Sequence, residues 1–190
     1  MSSAIVMVAH PDDCVIFAWS LMHHYPRLQW TICYLTYTAE SSRGKELRSF
    51  WNQRRIPTQF LGFEDDYHDL EDNTLHHWTQ DQVNQACWDA CSQADLVLTH
   101  DANGDYGHIH HRAVHHALQV ARLNFSYPHP RVITFAPPGH GTHDYELPAG
   151  LWHDNELPEH AKIVRSFHNK QHKNSYLMDQ TTHRWLEAWR

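Results

Sequence analysis

Segments that favour β-strands alternate along the chain with segments that favour helices. The first strand segment, "SAIVMVA" at residues 3–9, is continuously apolar, which is typical of a strand covered on both faces. Four further strand segments lie at residues 29–37, 58–63, 95–100 and 131–136. Helix patterns follow the first four strand segments, from residue 13 and at residues 43–55, 79–93 and 108–123. Such alternation requires right-handed crossovers, so we predict a mainly parallel sheet with helices on both faces.

The chain length of 190 residues suits one domain with a sizeable core and is short for two domains. We therefore predict an α/β fold, a Rossmann-like three-layer sandwich with a mainly parallel sheet of about five strands. We expect a single domain over residues 1–190, with its core at residues 3–136 and a short C-terminal extension at residues 137–190. In that extension, helix patterns occur only over about residues 157–168 and 179–189.

The charge balance bears on the classes of partner. The formal net charge is −7 with histidines neutral, and no run of lysine or arginine interrupts it, so neither nucleic acid nor an anionic membrane is expected as a partner. No segment approaches membrane-spanning length, the N-terminus lacks the basic region of a signal peptide, and the four cysteines form no CxxC pair. We expect a cytoplasmic protein without membrane insertion. The sequence does not indicate an oligomeric state.

The first strand segment ends at the motif "HPDD", which places His10, Asp12 and Asp13 in the turn that follows it. Three ionisable side chains at the end of a buried strand are costly to desolvate unless something compensates their charge. Ligands of a parallel sheet collect beyond the carboxyl ends of its strands. A cation at this rim would compensate the charge, although an aspartate after a strand also commonly caps a helix.

A second ionisable cluster, "GDYGHIHHRAVHH" at residues 104–116, follows the fourth strand segment and is therefore expected at the same rim. His108 and His111 are three residues apart, so on a helix they project from one face. Imidazole nitrogens and carboxylate oxygens together suit Zn²⁺, with Fe²⁺, Co²⁺ or Mn²⁺ also possible. An HxxH pair alone means little in a chain with 20 histidines, but two such clusters at one rim predict a catalytic metal site.

The combination of "AHPDD" with "GDYGHIHH" about a hundred residues later resembles the PIG-L/LmbE-like N-deacetylase superfamily, over roughly residues 4–136. Members of that superfamily are zinc-dependent enzymes that remove acetyl groups from N-acetylglucosamine-type substrates. The resemblance implies that the metal ligands are His10, Asp13 and His111.

The resemblance also implies a set of catalytic groups. Asp12 is the expected general base, which takes the proton of a zinc-activated water as that water attacks the amide carbonyl. His108 is expected to assist as a charged or proton-donating group, and Tyr106 to help stabilise the oxyanion. Either Asp12 or His108 could deliver the proton to the departing amine.

Three further segments resemble the substrate-side motifs of the superfamily. "RGKE" resembles its R-x-x-E and nominates Arg43, whereas Glu46 is more simply explained as a member of a helix-face ion pair. "FLGFEDD" nominates Asp65 for a sugar hydroxyl, with Asp66 as its competitor. "SFHNKQ" is only loosely similar to the H-x-S-Q segment of the superfamily and makes His168 a weak candidate.

Two positions depart from the superfamily pattern, since Cys14 stands where Glu is usual and His110 where Asp is common. The second change leaves the charge state of His108 open, because that Asp orients the equivalent histidine in relatives. Neither change removes an expected ligand. We therefore predict an active, metal-dependent N-deacetylase that acts on a small N-acylated amino sugar or conjugate. The alternatives are a non-catalytic, histidine-rich metal-binding protein on the same fold and an amidase of a thiol-sugar conjugate.

Overall fold

The computed structural model describes residues 2–18, 22, 25–65, 77–105, 107–124 and 130–135. The strands within these ranges are β1 (Ser3–Val8), β2 (Gln29–Thr36), β3 (Thr58–Phe63), β4 (Leu96–Thr99) and β5 (Arg131–Thr134). They form one sheet in the order β3-β2-β1-β4-β5, and every neighbouring pair is parallel. The predicted α/β fold with a parallel five-stranded sheet is confirmed.

Helical segments connect these strands. The α-helices of the described ranges are α1 (Ser42–Asn52), α2 (Gln80–Cys91) and α3 (Ile109–Asn124). Helix α1 ends earlier than predicted, and Arg55 adopts a left-handed φ of 58° in the turn before β3. The segment after β1 also differs from expectation, because its described part is a π-helix at Cys14–Ala18. Such wide turns are rare and occur mostly at functional sites.

Packed helices cover both faces of the sheet, which explains why β1 is apolar from Ala4 to Val8. Val6 packs on one face in a cluster with Trp51 of α1. Its neighbour Met7 packs on the opposite face in a cluster with Val83 of α2 and Val114 of α3. All five side chains are fully buried. The core therefore lies in two layers on either side of the sheet, as the three-layer prediction requires.

The strand order determines where a ligand can bind. The chain adds β2 and β3 on one side of β1, then crosses back and adds β4 and β5 on the other side. The loops that leave β1 and β4 therefore diverge, and their divergence opens a crevice beyond the carboxyl ends of these two strands. Residues 9–13 and 100–105 follow those strands. Both predicted ionisable clusters are thus directed to one topological switch point.

Other predictions concern the organisation of the chain. The four cysteines are all free and buried. In the ranges that the structure describes, no helix is long and apolar enough to cross a membrane. The predicted extension at residues 137–190 and its two helices lie outside those ranges. The single-domain organisation of residues 1–190 therefore stays a prediction.

The start of α1 depends on a close backbone approach at Gly44, whose N–H donates to the capping hydroxyl of Ser41 at 3.0 Å. A Cβ at Gly44 would lie 2.0 Å from the carbonyl oxygen of Thr38. We expect Gly44→Ala to lower the free energy of unfolding by about 1–3 kcal/mol, because the backbone must shift. Urea denaturation measures the loss. Ser49→Ala, at an exposed position of the same helix, should change stability by less than about 0.5 kcal/mol; equal values for both variants would contradict the close approach.

Candidate metal centre

The turn after β1 is closed by its own aspartate. The carboxylate oxygen Oδ2 of Asp13 accepts the backbone N–H of His10 at 2.7 Å. Asp13 is 2% exposed, so this carboxylate sits in the protein interior at the head of the π-helix. The turn therefore holds the His10 ring and the Asp13 carboxylate side by side.

Three predicted ligand atoms meet in this turn. The Nδ1 atom of His10 lies 3.2 Å from Nε2 of His111 and 3.4 Å from Oδ2 of Asp13. The third distance, from Nε2 of His111 to Oδ2 of Asp13, is 3.3 Å. Ligands bound tetrahedrally to Zn²⁺ at about 2.0–2.1 Å lie about 3.3–3.4 Å from one another. The spacing and the chemistry of this triad, His10, Asp13 and His111, therefore fit three positions of a tetrahedral divalent cation.

The orientation of His111 is set by Asp105. Its Nδ1–H donates to Oδ2 of Asp105 at 2.8 Å, which leaves the lone pair of Nε2 directed at the triad. A carboxylate behind an imidazole in this way fixes the ring and makes it a better ligand. Sequence analysis missed Asp105, which adopts a left-handed φ of 62° in the loop before α3. The only signal in the sequence was an aspartate in a glycine-containing loop. Such aspartates are too common for an orienting role to be assigned to one of them.

A second buried imidazole, His100, lies parallel to His111 with ring centroids 3.8 Å apart. Its Nδ1 donates to the same Asp105 oxygen, and its Nε2 accepts the N–H of Ala9 at 3.0 Å. Asp13, His100 and His111 also converge closely enough to be considered as a metal group. However, the lone pair of His100 Nε2 is already engaged by Ala9, so His100 supports the triad instead of joining it. Sequence analysis noted His100 only as the end of a strand.

Charges around Asp13 determine its ionisation. Burial alone would raise the pKa of Asp13, but His111 and His100 hold it well below its usual range. Burial alone would lower the pKa of His111, but the Asp13 carboxylate outweighs this effect. The pKa of His111 is therefore raised. Similarly, Asp105 and Asp13 overcome the burial of His100 and raise its pKa to about 9. The N–H of Ala9 donates to Nε2 of His100, so the ring proton in this arrangement lies on Nδ1, where Asp105 accepts it. A metal that binds the triad must displace any proton on His111.

His108 lies against the triad. Its ring centroid is 4.5 Å from that of His10 and 4.9 Å from that of His111, and it is 8% exposed. Its Nδ1 accepts the backbone N–H of His110 at 3.2 Å, which places the ring proton on Nε2. Burial, followed by the neighbouring imidazoles of His10 and His111, lowers the pKa of His108 to about 2. The charge state that the sequence left open is therefore the neutral one.

The other expected catalytic groups are Asp12 and Tyr106. Asp12 is half-buried in the turn, between the His10 and Asp13 positions of the triad. Tyr106 lies outside the described residues. Of the catalytic groups expected from the sequence, the structure thus places the His108 ring against the triad and Asp12 in the turn between two triad residues.

Of the two expected substrate-side groups, Asp65 lies beside His10 and Arg43 is linked to Asp65 through Tyr37. Arg43 donates to the Tyr37 hydroxyl at 3.2 Å, and that hydroxyl donates to Oδ2 of Asp65 at 2.8 Å. The other oxygen of Asp65 lies 3.7 Å from Nε2 of His10. Burial and the Asp65 hydrogen bond raise the pKa of Tyr37, so its hydroxyl keeps its proton. The sequence did not nominate Tyr37. This residue follows the end of β2 and adopts a left-handed φ of 67°.

The weaker substrate-side candidates from the sequence are Glu46, Asp66 and His168. Glu46 is exposed on α1. Asp66 and His168 lie outside the described residues.

Comparison with protein families decides which family these motifs represent. The model of the GlcNAc-PI de-N-acetylase family, PIG-L, matches residues 5–122, which is more than half of the chain. The chain belongs to the PIG-L family. This is a family of deacetylase-type hydrolases, and the match includes every residue of the triad. No curated protein sequence matches the chain.

Solved structures with a similar fold agree with the PIG-L assignment. N,N'-diacetylchitobiose deacetylase from Pyrococcus horikoshii has a TM-score of 0.62 and 16% identity, over 100% of this chain and 76% of that one. A conserved protein from Thermus thermophilus has a TM-score of 0.61 and 17% identity, over 95% and 85% of the two chains. A deacetylase of teicoplanin biosynthesis has a TM-score of 0.58 and 15% identity, over 87% and 84%. At these identities the likeness shows the fold.

Cys14, one of the two departures from the PIG-L motif, lies in the core beneath the turn. Its Sγ lies 3.1 Å from the hydroxyl of Tyr34 and 3.7 Å from the carbonyl oxygen of Pro11. The indole N–H of Trp51 donates to the same hydroxyl at 2.6 Å. Because Cys14 is buried and its neighbours Tyr34 and Trp51 are uncharged, this position adds no charge beneath the triad. The departure is therefore accommodated by a neutral, hydrogen-bonded network.

We expect Asp105→Asn to weaken divalent-metal affinity by about 10–100-fold, because the charge that orients His111 is lost. Asparagine tolerates a left-handed φ, so the backbone should be preserved. Competition with a chromophoric chelator measures the affinity. The matched control is Asp101→Asn in the same loop, because Asp101 accepts the N–H groups of Asn103 and Asp105 at 2.8 Å and asparagine keeps an acceptor oxygen. Unchanged affinity in Asp105→Asn would contradict the orienting role.

Proposed function

We propose that this PIG-L family member is a metal-dependent N-deacetylase that hydrolyses a small N-acetylglucosamine-type amino sugar or conjugate. The observation that carries the proposal is the spacing of the triad, whose three ligand atoms lie 3.2–3.4 Å apart. Two groups suited to proton transfer and hydrogen bonding, Asp12 and His108, lie beside it. Family membership and the net charge of −7 both favour a small sugar over a nucleic acid as the partner.

His10, Asp13 and His111 would hold the cation. Two imidazoles and one carboxylate suit Zn²⁺, and the same donors accept Fe²⁺, Co²⁺ or Mn²⁺. The bound ion would supply Lewis-acid chemistry, lowering the pKa of water and polarising the amide carbonyl. Asp105 and His100 would keep the ligand lone pairs directed at that ion.

Asp12 would act as the general base. Its position in the turn between two triad residues supports this role, because a general base must reach the attacking water. It would take one proton from the attacking water as the new carbon–oxygen bond forms. Asp12 would then return that proton to the amine nitrogen as the carbon–nitrogen bond breaks, because a neutral His108 has only the Nε2 proton with which it donates a hydrogen bond.

His108 would stabilise the oxyanion of the tetrahedral intermediate. Its Nδ1 is engaged by a backbone N–H, so the remaining Nε2–H is the group available to donate. We propose Tyr106 as a second donor at the same oxygen. Arg43 and Asp65, joined through Tyr37, would bind the hydroxyl groups of the sugar beside the centre.

Replacing the two adjacent aspartates separates catalysis from metal binding. We expect Asp12→Asn to keep stoichiometric metal and to lose about 10²–10⁴-fold in kcat, because only the general base is removed. Asp13→Asn should lose metal, because a ligand is removed. Elemental analysis and an assay of free-amine release from N-acetylglucosamine derivatives measure the two quantities. Full activity in Asp12→Asn would contradict its role, and metal binding without amine release from any substrate would favour the non-catalytic metal-binding alternative.

Removal of the metal should abolish amine release without unfolding the protein. We expect a strong chelator to eliminate activity and about one equivalent of Zn²⁺ to restore it, because the cation activates the water. Fe²⁺, Co²⁺ and Mn²⁺ should be added in parallel to rank the metals, with circular dichroism as the control for folding. A panel of free, glycosidic, nucleotide-linked and thiol-linked acylated sugars identifies the substrate class. Activity that survives complete metal removal would end this proposal.

A further inference from the structure

His10 presents its two ring nitrogens to two different groups. Its Nδ1 faces the triad, as described above. Its Nε2 faces the other way and lies 3.0 Å from Nδ1 of His110 and 3.7 Å from Oδ1 of Asp65. The third side of this second group, from His110 Nδ1 to Asp65 Oδ1, is 3.9 Å long. Two nitrogens and one carboxylate oxygen therefore converge beside the triad, on atoms that the triad does not use.

We propose that His10, His110 and Asp65 form a second divalent-metal site, in which the His10 ring bridges two cations. The three ligand atoms lie close enough together to contact one ion, and their spacing approaches the edge of about 3.3–3.4 Å expected for tetrahedral coordination. A nitrogen-rich set with one carboxylate suits Zn²⁺, Co²⁺ or Cu²⁺ better than Mg²⁺ or Ca²⁺.

The carboxylate of this second site is already oriented for coordination. Oδ2 of Asp65 accepts the hydroxyl of Tyr37 at 2.8 Å, and Arg43 donates to that hydroxyl. Oδ1 is thereby turned toward His10 and His110. A ligand carboxylate whose second oxygen is hydrogen-bonded is typical of metal sites. Arg43 and Tyr37 thus support Asp65, and a cation at this second site would take the Asp65 oxygen that could otherwise accept a sugar hydroxyl.

The imidazole of His110 is also held in place. It is fully buried, and its ring lies 5.0 Å from that of Trp78. The side chain of Asp65 is 30% exposed, so a cation has a path to the group from solvent. A buried nitrogen and a solvent-accessible oxygen on opposite sides are consistent with a site that loads after the buried triad.

Cobalt titration of the metal-stripped, full-length protein tests the second site. We expect the wild-type chain to bind two Co²⁺. Visible absorption monitors the titration, and elemental analysis after gel filtration gives the number of bound ions. His110→Ala and Asp65→Asn should each bind one Co²⁺ tightly and weaken the second by at least about tenfold. Asp65→Asn keeps an acceptor for Tyr37 and lies near the surface, so it tests the site even where His110→Ala fails to fold.

The matched control is His116→Ala, because His116 is exposed on the same helix as His110. It should bind two Co²⁺ as the wild type does, and it accounts for cobalt held by exposed histidines. One equivalent in the wild type, or two undiminished equivalents in both site variants, would overturn the proposal. Because the readout is cobalt stoichiometry, the result is independent of whether the protein deacetylates a sugar.

Discussion

The structure of this site depends on one buried carboxylate. Asp13 lies in the interior with His10, His100 and His111 all within 3.4 Å of its Oδ2 atom. Removing a carboxylate from water costs on the order of several kcal/mol unless it is paired and hydrogen-bonded. The N–H of His10 supplies part of that compensation, and a cation held by the triad would supply the rest. Because the three imidazole rings come from the ends of β1 and β4 and from α3, the same carboxylate joins three separate elements.

Asp105 adds a second level of order behind the rings. One of its oxygens receives the Nδ1–H groups of both His100 and His111, which stack 3.8 Å apart. Each ring is therefore held between two carboxylates, with Asp105 on one edge and Asp13 on the other. This fixes which nitrogen carries the proton, and so which lone pair faces the centre. The donor atoms are arranged before any cation binds.

The crevice that holds this arrangement follows from the sheet. β1 is central, and the chain leaves it in one direction before returning to build the other side. Motifs that follow β1 and β4 must therefore meet, although about ninety residues separate them. Membership of the PIG-L family agrees with this geometry. His110 combines with His10 and Asp65 into a second group of donors beside the triad.

The sequence alone was enough for the parallel α/β fold, because alternating apolar and amphipathic periods leave few other topologies. The resemblance of two short motifs to the PIG-L/LmbE-like superfamily was also enough to nominate His10, Asp13 and His111. The roles of His100, Asp105 and Tyr37 were decided only by the tertiary structure. Each of these acts through contacts with residues brought together by folding, and two of them adopt left-handed backbone conformations that no local pattern announced. Ligands can be read from motifs, whereas the groups that orient them depend on where the folded chain places its side chains.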